Sequence, residues 1–399
     1  MAERFDLERA RLETPGCSNV LHLNNAGAAL MPRPVLRSTM YHLRLEAAIG
    51  GYEAADRADE AINGVYDAAA KLIGCGRDEI ALVDHATRAW DLAFYAIPFG
   101  AGDRILTDMA AYASSYIAFL QVAQKTGARV DVIPNDQYGQ ISIDALRDAM
   151  DERVKLIALT HVPTNGGLVN PAADVGQVAR DANVLYLLDA CQSVGQMPVN
   201  VNEIGCDMLS ATGRKYLRGP RGTGFLYVKR AALERLEPPF LDLHAARWAE
   251  RERYELRSDA RRFESWERNV AGVIGLGAAI NYALEWGLDV TWTRIAALAE
   301  DLRARLMALP GVTVHDLGRK RCGIVTFVAN GWQPKALRAA LAEERINVSV
   351  STVNSTRLDM EDRGLEELVR ASVHYYNSEQ EVERFCQTLA DLLRGPSAA

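Results

Sequence analysis

From about residue 70 to residue 230 the chain repeats one rhythm, a short apolar segment followed by a stretch of helical period. The pattern predicts strands at 79–83, 103–107, 129–133, 155–161, 184–189, 208–211 and 224–228. Between the first five, it predicts helices at 87–99, 114–126, 143–150 and 172–182. Parallel strands need crossovers of a dozen or more residues, and helices of this length supply them. Leu185-Tyr186-Leu187-Leu188 is apolar without alternation, as expected of a strand buried on both faces. A mostly parallel sheet with helices on both faces follows. After a charged stretch at 258–268, two long helical patterns are predicted at 270–285 and 292–309. The last hundred residues change rhythm. Strands are predicted at 323–328, 346–350 and 368–373, with helices at 334–344 and 379–393, which makes a small α+β unit.

Composition removes several classes of function. With 399 residues the chain is long enough for one large domain and a smaller one, or for two or three domains. Its 45 basic and 52 acidic residues, net charge −7, exclude a strongly basic nucleic-acid binder. No apolar run approaches the span of a bilayer, and the charged start Met1-Ala2-Glu3-Arg4-Phe5-Asp6 lacks a signal-peptide core, so a cytoplasmic protein is expected. Six cysteines show no CxxC and seven histidines no HExxH, so free thiols and no structural metal are expected.

Two stretches carry chemistry. Residues 210–225 pack glycines, hydroxyls, three arginines and one lysine, Lys215, between two predicted strands. Glycines permit tight turns, and hydroxyls, guanidinium groups and backbone amides together suit a phosphate. A lysine among cationic neighbours is suited to Schiff-base chemistry. A basic surface loop would share this composition. Asp189 ends the apolar strand 184–189, 26 residues before Lys215, at the strand end where open α/β sheets bind ligands. A carboxylate there suits a cationic ring nitrogen, and equally a helix N-cap. Gly272 to Gly277 contains a GxG pattern, but it follows no strand and sits in a helical period, so it predicts close helix packing.

In their Asp-Ala-Cys-Gln and Thr-Gly-Arg-Lys contexts, Asp189 and Lys215 resemble the class V aminotransferase family of pyridoxal 5′-phosphate (PLP) enzymes. That family includes cysteine desulfurases, isopenicillin N epimerase and hercynylcysteine sulfoxide lyases. The resemblance spans about residues 21–393. It implies the α/β PLP-dependent transferase fold type I, a large domain with a mostly parallel seven-stranded sheet plus a small C-terminal α+β domain. The implied division is an N-terminal segment at 1–30 joining the small domain, a large PLP-binding domain at 31–285 and the small domain at 286–399.

The same resemblance assigns roles residue by residue. Lys215 is similar to the lysine that binds PLP and moves the Cα proton, and Asp189 to the partner of the pyridinium nitrogen. Gln192 matches the residue near the ring hydroxyl. Thr212 and Arg214 match the serine and histidine that hold phosphate in desulfurases, with Ala86 and Thr87 receiving it from a helix N-terminus. Tyr112 stands where desulfurases stack a histidine on the ring, and its ordinary pKa near ~10 makes it a poor proton donor at neutral pH. Thr164 and Asn165 match the loop that reaches ring hydroxyl and substrate, while His161 is read as structural. Arg370 matches the arginine for the substrate α-carboxylate, which a guanidinium fork suits. Ala26 and Gly27 resemble the entry segment beside the substrate. Tyr52, Ser265 and Trp266 resemble segments that reach the partner's active site in a homodimer, although Ser265 and Trp266 depart from the desulfurase pair.

A desulfurase needs a mobile cysteine in a small-domain loop, and Thr356 occupies that position. A hydroxyl is no substitute for a thiolate, so a persulfide route is disfavoured. The Ser-Thr-Arg-x-Asp pattern at 355–359 instead resembles the epimerase and sulfoxide-lyase branch, with Arg357 reaching a distal part of an amino-acid substrate. The chemistry implied passes through an external aldimine and a quinonoid. C–S β-elimination leads, and epimerisation and transamination remain as alternatives.

Overall fold

A computed structural model describes residues 5–395. Seven strands build the main sheet: β1 (Ile80–Val83), β2 (Arg104–Asp108), β3 (Arg129–Ile133), β4 (Val154–Thr160), β5 (Leu185–Asp189), β6 (Met208–Thr212) and β7 (Gly224–Val228). Their spatial order is β1-β7-β6-β5-β4-β2-β3. Only β7 runs antiparallel to its neighbours, β1 and β6. Side chains alternate between two cores. Leu185 and Leu187 of β5 pack on the face covered by the helices Ala86–Phe94 and Ala113–Thr126, while Tyr186 and Leu188 join the larger core on the other face. Both faces are thus covered, which is why these strands carry no polar alternation.

The smaller sheet holds β8 (Val312–Val314), β9 (Ile324–Ala329), β10 (Ser349–Thr352) and β11 (Glu367–Ser372), all antiparallel in the order β8-β9-β11-β10. The helices Leu288–Ala308, Pro334–Glu343 and Glu379–Arg394 accompany it. The N-terminal segment joins this unit. Leu21–His22 pairs in parallel with Ile346–Asn347, and Asn25 donates to the Ser372 carbonyl at 2.7 Å. Arg218 ties the parts together. Its guanidinium is buried, donates to the Leu30 carbonyl at 2.8 Å and the Tyr375 hydroxyl at 2.7 Å, and lies over the Tyr376 ring at 4.5 Å.

Several expectations change in detail. The strand predicted at 346–350 is split, Ile346–Asn347 pairing with the N-terminal segment and Ser349–Thr352 with β11. The helix predicted to reach residue 99 ends at Phe94. Helices Arg33–Ile49 and Asp59–Ile73 pack against Val270–Trp286, and an exposed hairpin joins Ala246–Glu250 to Arg253–Leu256; the sequence pattern predicts none of these partnerships. The GxG stretch lies inside Val270–Trp286. A Cβ on Gly275 would stand 2.3 Å from Thr39 Oγ1, and one on Gly277 2.8 Å from Val65 Cγ2, so these glycines serve close helix packing. No helix among the described residues is long and apolar enough to cross a membrane.

Candidate active site

A cavity of about 280 Å³ opens at the carboxyl ends of β5 and β6. Parallel strands direct their last side chains and following loops to this edge, and two helices begin there. Asp189, the last residue of β5, forms part of the lining. Its Oδ1 accepts the Cys191 N–H at 2.9 Å. Burial pushes its carboxyl up from the ordinary value, against the pull of the Cys191 hydrogen bond and the Lys215 charge.

Lys215 enters from the loop after β6. That loop is knotted by backbone bonds, Gly213 N–H to Thr223 O at 2.9 Å, Gly219 N–H to Gly213 O at 2.7 Å and Arg218 N–H to Lys215 O at 2.9 Å. A Cβ at Gly213 would meet Thr223 Oγ1 at 2.3 Å, so a side chain there would spread the turn that presents Lys215. Beside it, the thiol of Cys191 lies against the Lys215 amine, and burial holds it protonated.

One end of the cavity is built for an anion. Ala86 and Thr87 begin the helix Ala86–Phe94 and line the cavity with Thr212, Arg214, Arg221 and His85. Amides at a helix start point outward and carry partial positive charge. His85 Nδ1 accepts the Arg88 N–H at 3.0 Å, which fixes this start. Tyr112, immediately before the helix Ala113–Thr126, forms a side wall and is 38% exposed. Gln192 stands opposite the entry segment, donating Nε2–H to the Ala26 carbonyl at 3.2 Å while its buried Oε1 lacks a partner among the described residues. Arg214 donates to the Gly27 carbonyl. Ala26 and Gly27 therefore meet the site through backbone oxygens.

Arg370, on β11, approaches from the small unit. Its Nη1 donates to the Thr164 carbonyl at 3.0 Å and hydroxyl at 2.6 Å, and its Nη2 reaches Asn24 Oδ1 at 3.5 Å. Its buried Nε lacks a partner among the described residues. Burial, reinforced by the Arg214 charge, pushes this guanidinium down to about 10. Thr164 itself lines the cavity. Asn165 turns away, accepting the Thr356 hydroxyl at 2.9 Å and facing Asp359 at 3.5 Å.

Ala86, Thr87, Tyr112, Thr164, Asp189, Gln192, Thr212, Arg214 and Lys215 thus surround one cavity. Ala26, Gly27 and Arg370 do not line it but contact lining residues, and Asn165 also stands outside the lining. Tyr52, Ser265, Trp266 and Arg357 lie outside it too. Tyr52 is 72% exposed on the helix Gly51–Arg57. Ser265 and Trp266 follow Glu264 on the surface, with the Trp266 N–H on Asp242 Oδ2 at 2.7 Å. Arg357 does not reach the cavity. It donates to Glu361 Oε1 at 2.6 Å and Asn354 Oδ1 at 3.1 Å, beside a separate surface groove. A one-turn helix, Arg357–Asp362, begins at this residue and keeps its side chain with its own turn. His161 is buried against Ser193 Oγ at 3.0 Å and pushed down to about 4 by burial, which fits a neutral structural group.

Sequence reading missed other lining residues, including His85, Trp90, Ser114, Ser115, Thr160 and Arg221. Trp90 could have been found from helical spacing, four residues after Ala86. Arg221 lies in the same glycine-rich loop as Lys215, and Ser114 and Ser115 follow Tyr112 in the chain.

The residues present fit PLP. Unpartnered polar atoms of Gln192 and Arg370 are what a bound polar ligand would satisfy. An anion cradle, a carboxylate and a lysine amine share one enclosure. A family model described as aminotransferase class-V matches residues 21–385. A probable cysteine desulfurase of Methanothermobacter thermautotrophicus is 29% identical over 392 residues, covering 96% of this chain and 98% of the relative. The apo structure of a cysteine desulfurase from Thermococcus onnurineus NA1 matches with a TM-score of 0.91 at 26% identity, over 99% of this chain and 100% of that one. The cystine C–S lyase C-DES, solved with its product cysteine persulfide, shares the fold, with a TM-score of 0.85 at 22% identity over 95% of this chain and 99% of that one. These similarities carry desulfurase and C–S lyase names, where the 355–359 pattern had pointed to the epimerase and sulfoxide-lyase branch.

Proposed function

The chain belongs to the aminotransferase class-V family and is a PLP-dependent enzyme, and from that premise we propose that it is a C–S lyase cleaving the Cβ–S bond of a cysteine conjugate or sulfoxide. The observation that carries this reading is Thr356. It is fully buried, with its hydroxyl held by Asn165 Oδ1 at 2.9 Å, and by the family resemblance it stands in the loop where desulfurases keep their mobile cysteine. No thiol stands there to accept sulfur, so sulfur leaves with its organic group. The desulfurase and C–S lyase names of similar proteins support cysteine-derived substrates, and the Ser355 to Asp359 pattern supports the sulfoxide-lyase and epimerase branch.

Bound PLP supplies an electron sink for the charge that develops at Cα. In this reading Thr212, Arg214 and the amides at Ala86 and Thr87 hold its phosphate. Asp189 would hold its ring nitrogen, Gln192 would reach its ring hydroxyl, and Tyr112 would pack against the ring. Arg370 binds the substrate carboxylate, its burial making an anionic partner favourable. The Lys215 amine takes the proton from Cα, and the Cβ–S bond breaks with its electron pair leaving on sulfur. Hydrolysis of the remainder gives pyruvate and ammonia, with one thiol or sulfenic acid per turnover. A second copy of the chain completes the site from outside. The exposed Tyr41, Tyr52, Phe240, Leu243 and Trp266 support that homodimer.

A panel of cysteine S-conjugates and sulfoxides, assayed for pyruvate and for solvent deuterium at Cα, tests the reading. Pyruvate, ammonia and thiol or sulfenate in equal amounts are expected. Deuterium uptake with inversion and no pyruvate would replace it with epimerisation, an amino-group acceptor requirement with transamination, and a persulfide trapped on a cysteine with desulfuration.

A further inference from the structure

A second buried carboxylate stands near Asp189. Asp108 ends β2, and β4 lies between β2 and β5. The Asp108 side chain reaches across the end of β4, where its Oδ1 accepts the Thr160 N–H at 3.1 Å. Thr160 is the residue in register with Asp189 on β5. Asp108 is 1% exposed, and among the described residues its Oδ2 has no hydrogen-bond partner. Among the described residues no lysine, arginine or histidine forms an ion pair with it. The ionisable groups it meets on β5 are the Asp189 carboxyl and the Tyr186 phenol, which donates to the Ala172 carbonyl at 3.1 Å and is held protonated by burial. Neither brings a positive charge.

A dry carboxylate without a cation, next to a second carboxylate, keeps its proton. The direction agrees, since burial, and then the charge of Asp189, push the Asp108 carboxyl up to about 7 against backbone amides of Thr160 and Ala110.

We propose that Asp108 is a positioning residue for the cofactor, standing as a neutral carboxylic acid so that Asp189 is left as the anion facing the PLP ring nitrogen. It acts through Asp189 and does not touch substrate. The two carboxyl groups share the burden of one negative charge in a dry site, as interacting groups that titrate together. Loss of the Asp108 proton puts a second anion behind the ring nitrogen and changes how firmly that nitrogen holds its own proton. This inference rests on PLP binding at the cavity, so one arm of its test is independent of the cofactor.

The variants are Asp108→Asn, which keeps the shape and the acceptor for Thr160 without a charge, and Asp108→Ser, which is smaller. In the full-length apoenzyme, infrared difference spectra of wild type minus Asp108→Asn should contain a protonated-carboxyl band at pH 6 that is lost with a midpoint near 7. In the holoenzyme, the cofactor absorption of wild type should show a pH transition with the same midpoint, and both variants should lose it and keep the low-pH spectrum throughout. Should Asp108→Asn fail to fold, Asp108→Ser serves as the reference in both arms. Absence of the carboxylic band in the apoenzyme at pH 6 overturns the protonation assignment. Superimposable spectral titrations of wild type and variants overturn the link to the cofactor. Failure of PLP to bind wild type, with the infrared band present, overturns the cofactor reading and leaves the carboxyl pair standing.

Discussion

Replacing Arg370 with methionine separates a substrate-binding arginine from a structural one. The guanidinium is buried, and burial pushes it down from 12.5 to about 10. That shift corresponds to roughly 3 kcal/mol by which the fold disfavours the charged form at pH 7. The folded value is the lower one, so this cost is present at every pH below about 10 and is relieved only as pH rises above it. Two hydrogen bonds to Thr164 offset part of it, at about 0.5–1.5 kcal/mol each. The variant removes both terms, so stability of the ligand-free protein should change by no more than about 1–2 kcal/mol. A substrate carboxylate is different, since it loses a charge-assisted partner contributing about 1.5–3 kcal/mol. Affinity for amino-acid substrates should fall roughly 10- to 150-fold, with the cofactor spectrum unchanged. Spectral titration with an unreactive amino acid gives the affinity, and urea denaturation gives the stability. A loss of about 3–5 kcal/mol in stability, the usual result of breaking a buried charged network, with substrate affinity intact, would refute the reasoning.

Replacing each of the six cysteines in turn should leave turnover largely intact, and a lost activity in any one variant marks a required thiol. Consistent with that, burial pushes Cys322 and Cys386 up to about 12 and Cys17 up to about 11, so alkylation at pH 8 should be slow at all three. His161 is pushed down to about 4, so the unfolded chain binds its proton first. Wild type should therefore lose stability relative to His161→Asn as pH falls from 6.5 towards 4, by up to roughly 3 kcal/mol, and parallel denaturation curves at pH 7 and 4.5 would contradict this. Glu264 accepts from the Tyr66 hydroxyl at 2.9 Å and the Leu82 N–H at 2.7 Å and pairs with His244 at 2.8 Å. Glu264→Ala should cost about 3–5 kcal/mol by calorimetry, because Tyr66, the Leu82 N–H and Arg268 lose their anionic partner, and a change below about 1 kcal/mol would count against its role as an anchor for the Ser265–Trp266 segment.

The sequence by itself determined the layered α/β architecture and the pairing of Asp189 with Lys215 in one site. Both are legible because their causes are local. A strand buried on both faces must be continuously apolar, so Leu185–Leu188 announces itself, and the residue that ends it must lie at the sheet's carboxyl edge. The glycine-rich loop after β6 presents Lys215 through backbone bonds within a few residues. The family resemblance named much of what surrounds that pair, but which side chains meet there across the chain was decided by tertiary structure alone. Arg370 meets Thr164 across 206 residues, Thr356 meets Asn165 across 191, and Gln192 meets Ala26 across 166. No periodicity encodes such contacts, since each exists only when the N-terminal segment, the large sheet and the small sheet have closed on one another. Residues 346–350 follow the same logic. Their composition predicts one strand, but two different partners, the N-terminal segment and β11, divide it. Asp108 was invisible for a related reason. A carboxylate at a strand end reads as solvated until the fold places Thr160 on one oxygen, leaves the other bare and sets Asp189 nearby.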